Sequence, residues 1–238
     1  MEYNEQREFY DRRWDNSNYI NKYHVIRLIE ILKALHYSKV KNPRILDFGC
    51  GTCWLTSILN LIGPTTGIEL SKTAIERGIE SYPGLNLVQG NIFNYAFERE
   101  IFDIVVSQEV IEHVDDQSRY IQLTAKYLKS NGLLILTTPN AYNFNNWDDK
   151  KRGNWNLQPI ENWLSKKELL QLLYPYFEIL DIYTFLPEFG NLGIYKILNS
   201  YRLTKLMKYL GVSNLYNKIM NRAGLGLHLF VVGRKKSK

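Results

Sequence analysis

Ile45-Leu46-Asp47-Phe48-Gly49-Cys50-Gly51-Thr52 is an apolar run that ends in an acidic residue and a glycine turn, directly before a helical pattern. A strand feeding such a turn brings its backbone close to a bound ligand, because glycine adopts conformations that other residues rarely reach. A dinucleotide fold calls for G-x-G-x-x-G, and the sixth position here is Trp54, whose bulk opposes the close packing a last glycine permits. Asp47 argues further against a pyrophosphate at this point and for a cationic ligand.

Outward from this turn the chain alternates strand and helix patterns, the mark of a parallel sheet covered on both faces. Strands are expected over 44–48, 65–70, 85–89, 102–107, 133–138 and 177–183, and a last one over 227–233. Helices are expected over 18–37, 54–62, 72–81 and 117–129, the last stopped by Asn131-Gly132, and after the capping box Ser165-Lys166-Lys167-Glu168. Residues 2–18 carry Phe9, Tyr10 and Trp14, with Tyr19 directly after, and read as a flap, while 139–163 is irregular and aromatic and 194–220 is a helical insert. The expected organisation is a flap and helix over 1–40, a core over 41–186 and 226–238, and an insert or lid over 187–225.

The 238 residues suit one elaborated domain, and 30 basic against 24 acidic side chains give a formal charge of +6. That excess is too modest for a nucleic-acid stripe. There is no apolar run long enough to span a bilayer and no secretory leader pattern, so a cytoplasmic location is expected. Cys50 and Cys53 form a Cys-x-x-Cys pair, but no second Cys/His pair completes a zinc site, and the spacing follows from the loop itself.

Further strand ends supply polar groups to the crevice where open α/β sheets place ligands. Glu69 closes the second strand, near the ~20-residue spacing expected between a glycine turn and a ribose-binding acid. Gly90-Asn91-Ile92 offers an amide side chain and a backbone N–H that suit an adenine edge. S-adenosylmethionine combines an adenosine with an ammonium and a sulfonium, and it is the expected cofactor. Its expected wall is Asp47, Gly49, Cys50, Gly51, Trp54, Glu69, Leu70, Asn91, Ile92 and Gln108.

Ile45 to Thr52, Gly67-Ile68-Glu69-Leu70, Val88 to Asn91, Phe102 to Val114 and Leu128 to Asn140 resemble the successive motifs of class I methyltransferases. The likeness is nearest to the branch of ubiquinone-biosynthesis O-methyltransferases, through Gln108-Glu109-Val110-Ile111-Glu112-His113-Val114 and Leu133 to Asn140. It implies a Rossmann-like, doubly wound sheet of seven strands with the last antiparallel, and an acceptor bound over the carboxyl ends of strands four and five. Two departures stand out: Cys53 replaces a usual third glycine, and Asn91 stands where aspartate is commoner.

Methyl transfer is an in-line displacement that releases a neutral thioether, so alignment supplies much of the acceleration and the acceptor must lose a proton. His113 is the candidate general base, with loop orientation or substrate binding as the equal alternative. Glu109, Glu112 and His113 fall at i, i+3 and i+4, resembling the magnesium-binding set of small-RNA 2′-O-methyltransferases, but no histidine lies between His113 and His228 to complete it, so no metal is expected. Glu112 reads as a loop-fixing hydrogen bonder, and His24, His36 and His228 read as structural. Expected acceptor contacts are Glu109, Tyr142, Trp155, Gln158, Glu161 and Trp163, in a long aromatic loop suited to a flat or sugar-like molecule.

The leading expectation is methylation of a small-molecule hydroxyl or amine, such as one on a sugar or phenolic of natural-product or glycan synthesis. The alternatives are an RNA-modifying enzyme and a non-catalytic cofactor-binding protein. The basic amphipathic stretch 194–222 suits a lid or homodimer surface better than an anionic membrane, although a membrane or lipid-linked substrate fits its pattern too.

Overall fold

The computed structural model describes residues 3–15, 20–147, 158–186 and 190–237. The glycine turn follows β1 (Ile45–Phe48), which pairs in parallel with β2 (Thr65–Glu69) on one side and β4 (Phe102–Gln108) on the other. β3 (Asn86–Gln89) continues beyond β2, and β5 (Leu128–Pro139) lies beyond β4. β7 (His228–Lys235) inserts antiparallel between β5 and β6 (Phe177–Phe185), giving seven strands in the order β3-β2-β1-β4-β5-β7-β6.

Alternation along the central strands divides the core into two layers. Leu46, Phe48, Val105, Leu134 and Leu136 face α5 (Gln117–Tyr127) and α7 (Lys166–Leu173). Ile45, Ile104, Val106, Leu133 and Ile135 face α2 (Lys22–Ser38) and α3 (Trp54–Leu59). Both faces of the sheet are therefore covered, as expected for a doubly wound fold. α4 (Lys72–Ser81) connects β2 to β3 and receives Cys50 and Cys53 in a small apolar cluster with Ile75.

The expected flap is a helix, α1 (Tyr3–Asp15), packed against α4. A short α6 (Ala141–Phe144) follows β5, and the insert is three helices, α8 (Ile194–Leu198), α9 (Tyr201–Tyr209) and α10 (Ser213–Arg222). No helix among the described residues is long and apolar enough to cross a membrane.

Several boundaries differ for physical reasons. The helix expected to reach 129 ends at Tyr127, and β5 begins at Leu128 rather than at 133. Asn131 sits in the left-handed region at φ 62°, and the register with β4 shifts between Phe102 and Ile104, so these turn residues bend a strand rather than stop a helix. β6 runs two residues past 183, because Thr184 and Phe185 pair with Leu229 and His228 of β7.

Candidate active site

The carboxyl ends of β1, β2 and β4, the loop after β3 and helices α1 and α2 enclose a cavity of about 760 Å³. Gly49, at φ 95°, turns the chain at its base, where a Cβ would stand 2.5 Å from Val110, so no side chain is tolerated. Cys53 takes the left-handed conformation, φ 65°, that a glycine usually fills. Its thiol fills the space left by Gly78 of α4, whose Cβ would lie 2.5 Å from the Cys53 Sγ. Cys50 fills the matching space at Gly67, 2.9 Å from the Cβ position. The two free, buried thiols, 3.7 Å apart, are thus packing groups that lock the turn onto β2 and α4.

Two buried acids face this turn. Asp47 accepts a hydrogen bond from Thr56 Oγ1 at 2.7 Å, yet burial raises its pKa to about 7, with Glu69 adding to the rise. Glu69 accepts the backbone N–H of Gly51 and of Ser71, each at 3.0 Å, and burial raises its pKa as well. A cation in the cavity offsets that desolvation; an anion adds to it. Asn91 spends its Oδ1 on the Phe93 N–H at 2.8 Å and keeps its amide N–H groups for other partners, and Ile92 lies beside it at the cavity wall. Gln108 Oε1 is buried and has no hydrogen-bond partner among the described residues.

α1 roofs this end. Asp11 Oδ1 accepts from Ser71 Oγ at 2.6 Å and from the Thr73 N–H at 3.2 Å, and the Arg77 guanidinium donates to the Trp14 carbonyl. Trp14 therefore lies over Gly51, 3.4 Å from where a Cβ would be, and Tyr10 enters the cavity wall.

At the other end, His113 Nδ1 lies 2.9 Å from the Ile160 carbonyl, which can only accept, so the proton is on Nδ1. Nε2 then accepts from the Gln158 amide at 2.8 Å, and burial lowers the imidazole pKa against the opposing pull of that carbonyl. His113 is a neutral ring whose one lone pair is capped by the Gln158 amide. Glu112 Oε1 stands 3.6 Å from Nε2 and Glu161 Oε2 3.9 Å from Nδ1. Fully buried, Glu112 has its pKa raised well above the carboxylate range by desolvation and by Glu109, and it accepts from Thr138 Oγ1 at 2.9 Å.

Glu109, Glu112 and His113 do not share a helix face as their spacing predicts. Glu109 is at φ 57°, ahead of a 3-10 turn (Ile111–His113), so it points away toward His228 of β7, 2.9 Å distant, and Arg27 of α2, 3.7 Å distant. Burial works to raise the Glu109 pKa, but these two neighbours outweigh it and hold it at about 2. Among the described residues, no three His, Cys, Asp or Glu groups are arranged to hold a metal ion.

All ten expected cofactor-wall residues line the cavity, as do Glu109, His113, Gln158 and Glu161. Tyr142 and Trp163 do not. Trp163 donates to Glu161 Oε2 at 2.7 Å and packs at a tilt against Phe144, and Tyr142 is half exposed near Tyr195. Trp155 lies outside the described residues. His24, Arg27 and His228 are cavity residues that pattern alone marked as structural or passed over. His24 accepts the Asn21 N–H, packs edge-on against Trp54 and has its pKa lowered to about 4, first by burial and then by Arg27. The readable signal was Arg27 itself, a cation on the stripe Arg27, Ile31, Leu35 that α2 buries.

Residues 16–183 match the family model described as a methyltransferase domain. The chain is 32% identical over 126 residues to the ubiquinone biosynthesis O-methyltransferase of Rickettsia typhi, an alignment covering 51% of this chain and 50% of that protein. It is 30% identical over 135 residues to the malonyl-[acyl-carrier protein] O-methyltransferase of Halalkalibacterium halodurans, covering 52% and 50%. The chain thus spans about half the length of these relatives. The N-methyltransferase NodS of Bradyrhizobium japonicum, solved with S-adenosyl-L-homocysteine, shares the fold at a TM-score of 0.65 and 15% identity, over 98% of this chain and 99% of NodS. With the family model spanning most of its length, over a seven-stranded sheet in which β7 is antiparallel, this chain belongs to the class I methyltransferase-domain family.

Proposed function

We propose that the protein transfers the methyl group of S-adenosyl-L-methionine to a hydroxyl or amine of a small molecule, with a sugar or phenolic as the preferred acceptor. One observation carries the reading: a single cavity joins two buried acids with raised pKa at the glycine turn to a neutral histidine, capped by the Gln158 amide, at the other end. Its volume of about 760 Å³ falls within the range of small-molecule sites. Relatives named as O-methyltransferases, and a fold neighbour solved with the demethylated cofactor, support it.

The donor set fits this cofactor. Asp47 and Glu69 suit its ammonium and ribose hydroxyls, Gly49 and Gly51 leave room for it, and Asn91 and Ile92 suit an adenine edge. Bound there, S-adenosyl-L-methionine supplies an electrophilic methyl on sulfonium. The protein supplies alignment and a proton acceptor. An acceptor hydroxyl that displaces the Gln158 amide gives its proton to His113 Nε2, while Nδ1–H stays anchored on Ile160. Glu161 then balances the imidazolium. Glu109, held charged by Arg27 and His228, offers an oxygen to a second acceptor hydroxyl. Calorimetric titration tests the cofactor claim: binding of S-adenosyl-L-methionine is expected, and tight NAD binding in its place overturns it. A tritiated-methyl screen against small-molecule extracts and against RNA then separates the proposed acceptor class from an RNA-modifying role.

A further inference from the structure

The charge of the chain is divided. From Gly190 to Lys238 the sequence contains ten basic residues and no acidic one, so residues 1–189 hold the other twenty basic and all twenty-four acidic side chains. The positive excess belongs wholly to the last fifth of the chain, and six of its cations, Lys196, Arg202, Lys205, Lys208, Lys218 and Arg222, lie in α8, α9, α10 or at their ends. None of the six has an ion-pair partner among the described residues. Lys235 and Arg234 of β7, by contrast, pair with Glu100 and Glu178.

The same helices are poorly covered. α9 buries no residue completely, and α10 buries only Met220. Leu203 and Met207 turn partly inward, but Leu206 and Leu210, one turn apart, are 48% and 55% exposed, flanked by Tyr201 at 75% and Tyr209 at 87%. A surface amphipathic helix normally hides such a stripe against the core. Here apolar side chains, two tyrosines and basic residues share the solvent face. None of the described residues from 190 to 226 lines the cavity.

We infer that α9 and α10 form a docking surface for an anionic lipid bilayer. Leucine inserts into the acyl boundary, tyrosine sits at the headgroup level, and lysine and arginine lie along the apolar surface with their charges toward lipid phosphate. A second copy of the chain fits less well. A two-fold interface would set this acid-free surface against itself, like charge facing like. Nucleic acid would engage the cations but leave the exposed leucines in water. The insert also borders the site: the backbone N–H groups of Asn191 and Leu192 donate to the Asn146 carbonyl, just after α6, and Leu227 and His228 run from the insert directly into the cavity wall.

Flotation of the full chain with phosphatidylcholine vesicles, with and without phosphatidylglycerol, tests this without reference to catalysis. Recovery with the anionic vesicles alone is expected, weakening as ionic strength rises. Charge reversal by Lys205→Glu with Lys208→Glu is expected to lower partitioning roughly tenfold or more, and Leu206→Ser with Leu210→Ser to lower it further at high salt, both with parental far-UV circular dichroism. Absence of binding to anionic vesicles overturns the inference. So does equal binding to both vesicle types, or a concentration-dependent dimer that Leu206→Ser with Leu210→Ser dissolves.

Discussion

Asp47 is the residue whose chemistry most directly reports the cofactor. Its pKa is raised from 3.8 to about 7 because the carboxyl is buried, so near neutrality it is only partly ionised, and a cationic ligand must draw the proton off. Affinity for S-adenosyl-L-methionine is therefore expected to rise with pH up to and through about 7, then level off. Asp47→Asn should weaken binding and abolish that pH dependence, and calorimetry across this range reads both. An unchanged slope in the variant would assign the titration to another group. His113 makes a separate prediction. Since Nε2 is capped by Gln158 and its pKa lies below the usual value, His113→Ala should cut kcat by ~10²-fold or more while leaving cofactor Kd within a few-fold. Gln158→Ala should instead act mainly on the acceptor KM. A His113→Ala enzyme at normal kcat removes the proton-acceptor role.

At the scale of elements, the glycine turn and α4 are fitted to one another through Cys53 and Gly78. Gly78→Ala places a Cβ 2.5 Å from the Cys53 Sγ and should destabilise the fold by about 1–3 kcal/mol. Cys53→Ala in the same chain should recover much of that loss, a coupling that a denaturant double-mutant cycle measures. Additive losses would mean the two elements do not meet as described. α1 is held to α4 through Asp11, so Asp11→Ala should loosen the roof, speed amide exchange across Tyr3–Asp15 and weaken cofactor binding, with little change in the global melting temperature. The alternating core from β1 to β5 was legible because strand and helix periods differ and turn residues separate them. The Asn131-Gly132 bend was not, because the same pair that closes a helix also kinks a strand. The roof was visible only as aromatics near the N-terminus, and the meeting of Arg27, Glu109 and His228 was not legible at all. Those residues are brought together by β7 inserting beside β5 and by α2 crossing the sheet, and no local pattern encodes that proximity.

Across the whole molecule, the buried titratable groups around the cavity oppose one another in pH. Asp47, Glu69 and Glu112 have raised pKa values, so each adds stability at low pH that is lost as pH rises through its folded value. His24 and His113 have lowered values, so each adds stability above the unfolded 6.5 that is lost as pH falls through its folded value. Between the ordinary carboxylate range and 6.5 the two histidines therefore partly offset the three acids. Above 6.5 the histidines are neutral in both folded and unfolded chains and contribute no further change, while Asp47, at about 7, and Glu112 still resist ionisation. The ligand-free protein should thus lose stability only gradually through mildly acid pH, where the histidines partly offset the acids, and more steeply from about 6.5 upward. Saturating S-adenosyl-L-methionine should reverse this. It neutralises the cost of an ionised Asp47, so the ligand-induced rise in melting temperature should grow with pH over the interval in which the free protein weakens. Thermal melts with and without cofactor from pH 5 to 8 check both halves, and a ligand-induced shift that shrinks with rising pH would show that the cavity does not use its buried acids to hold a cation.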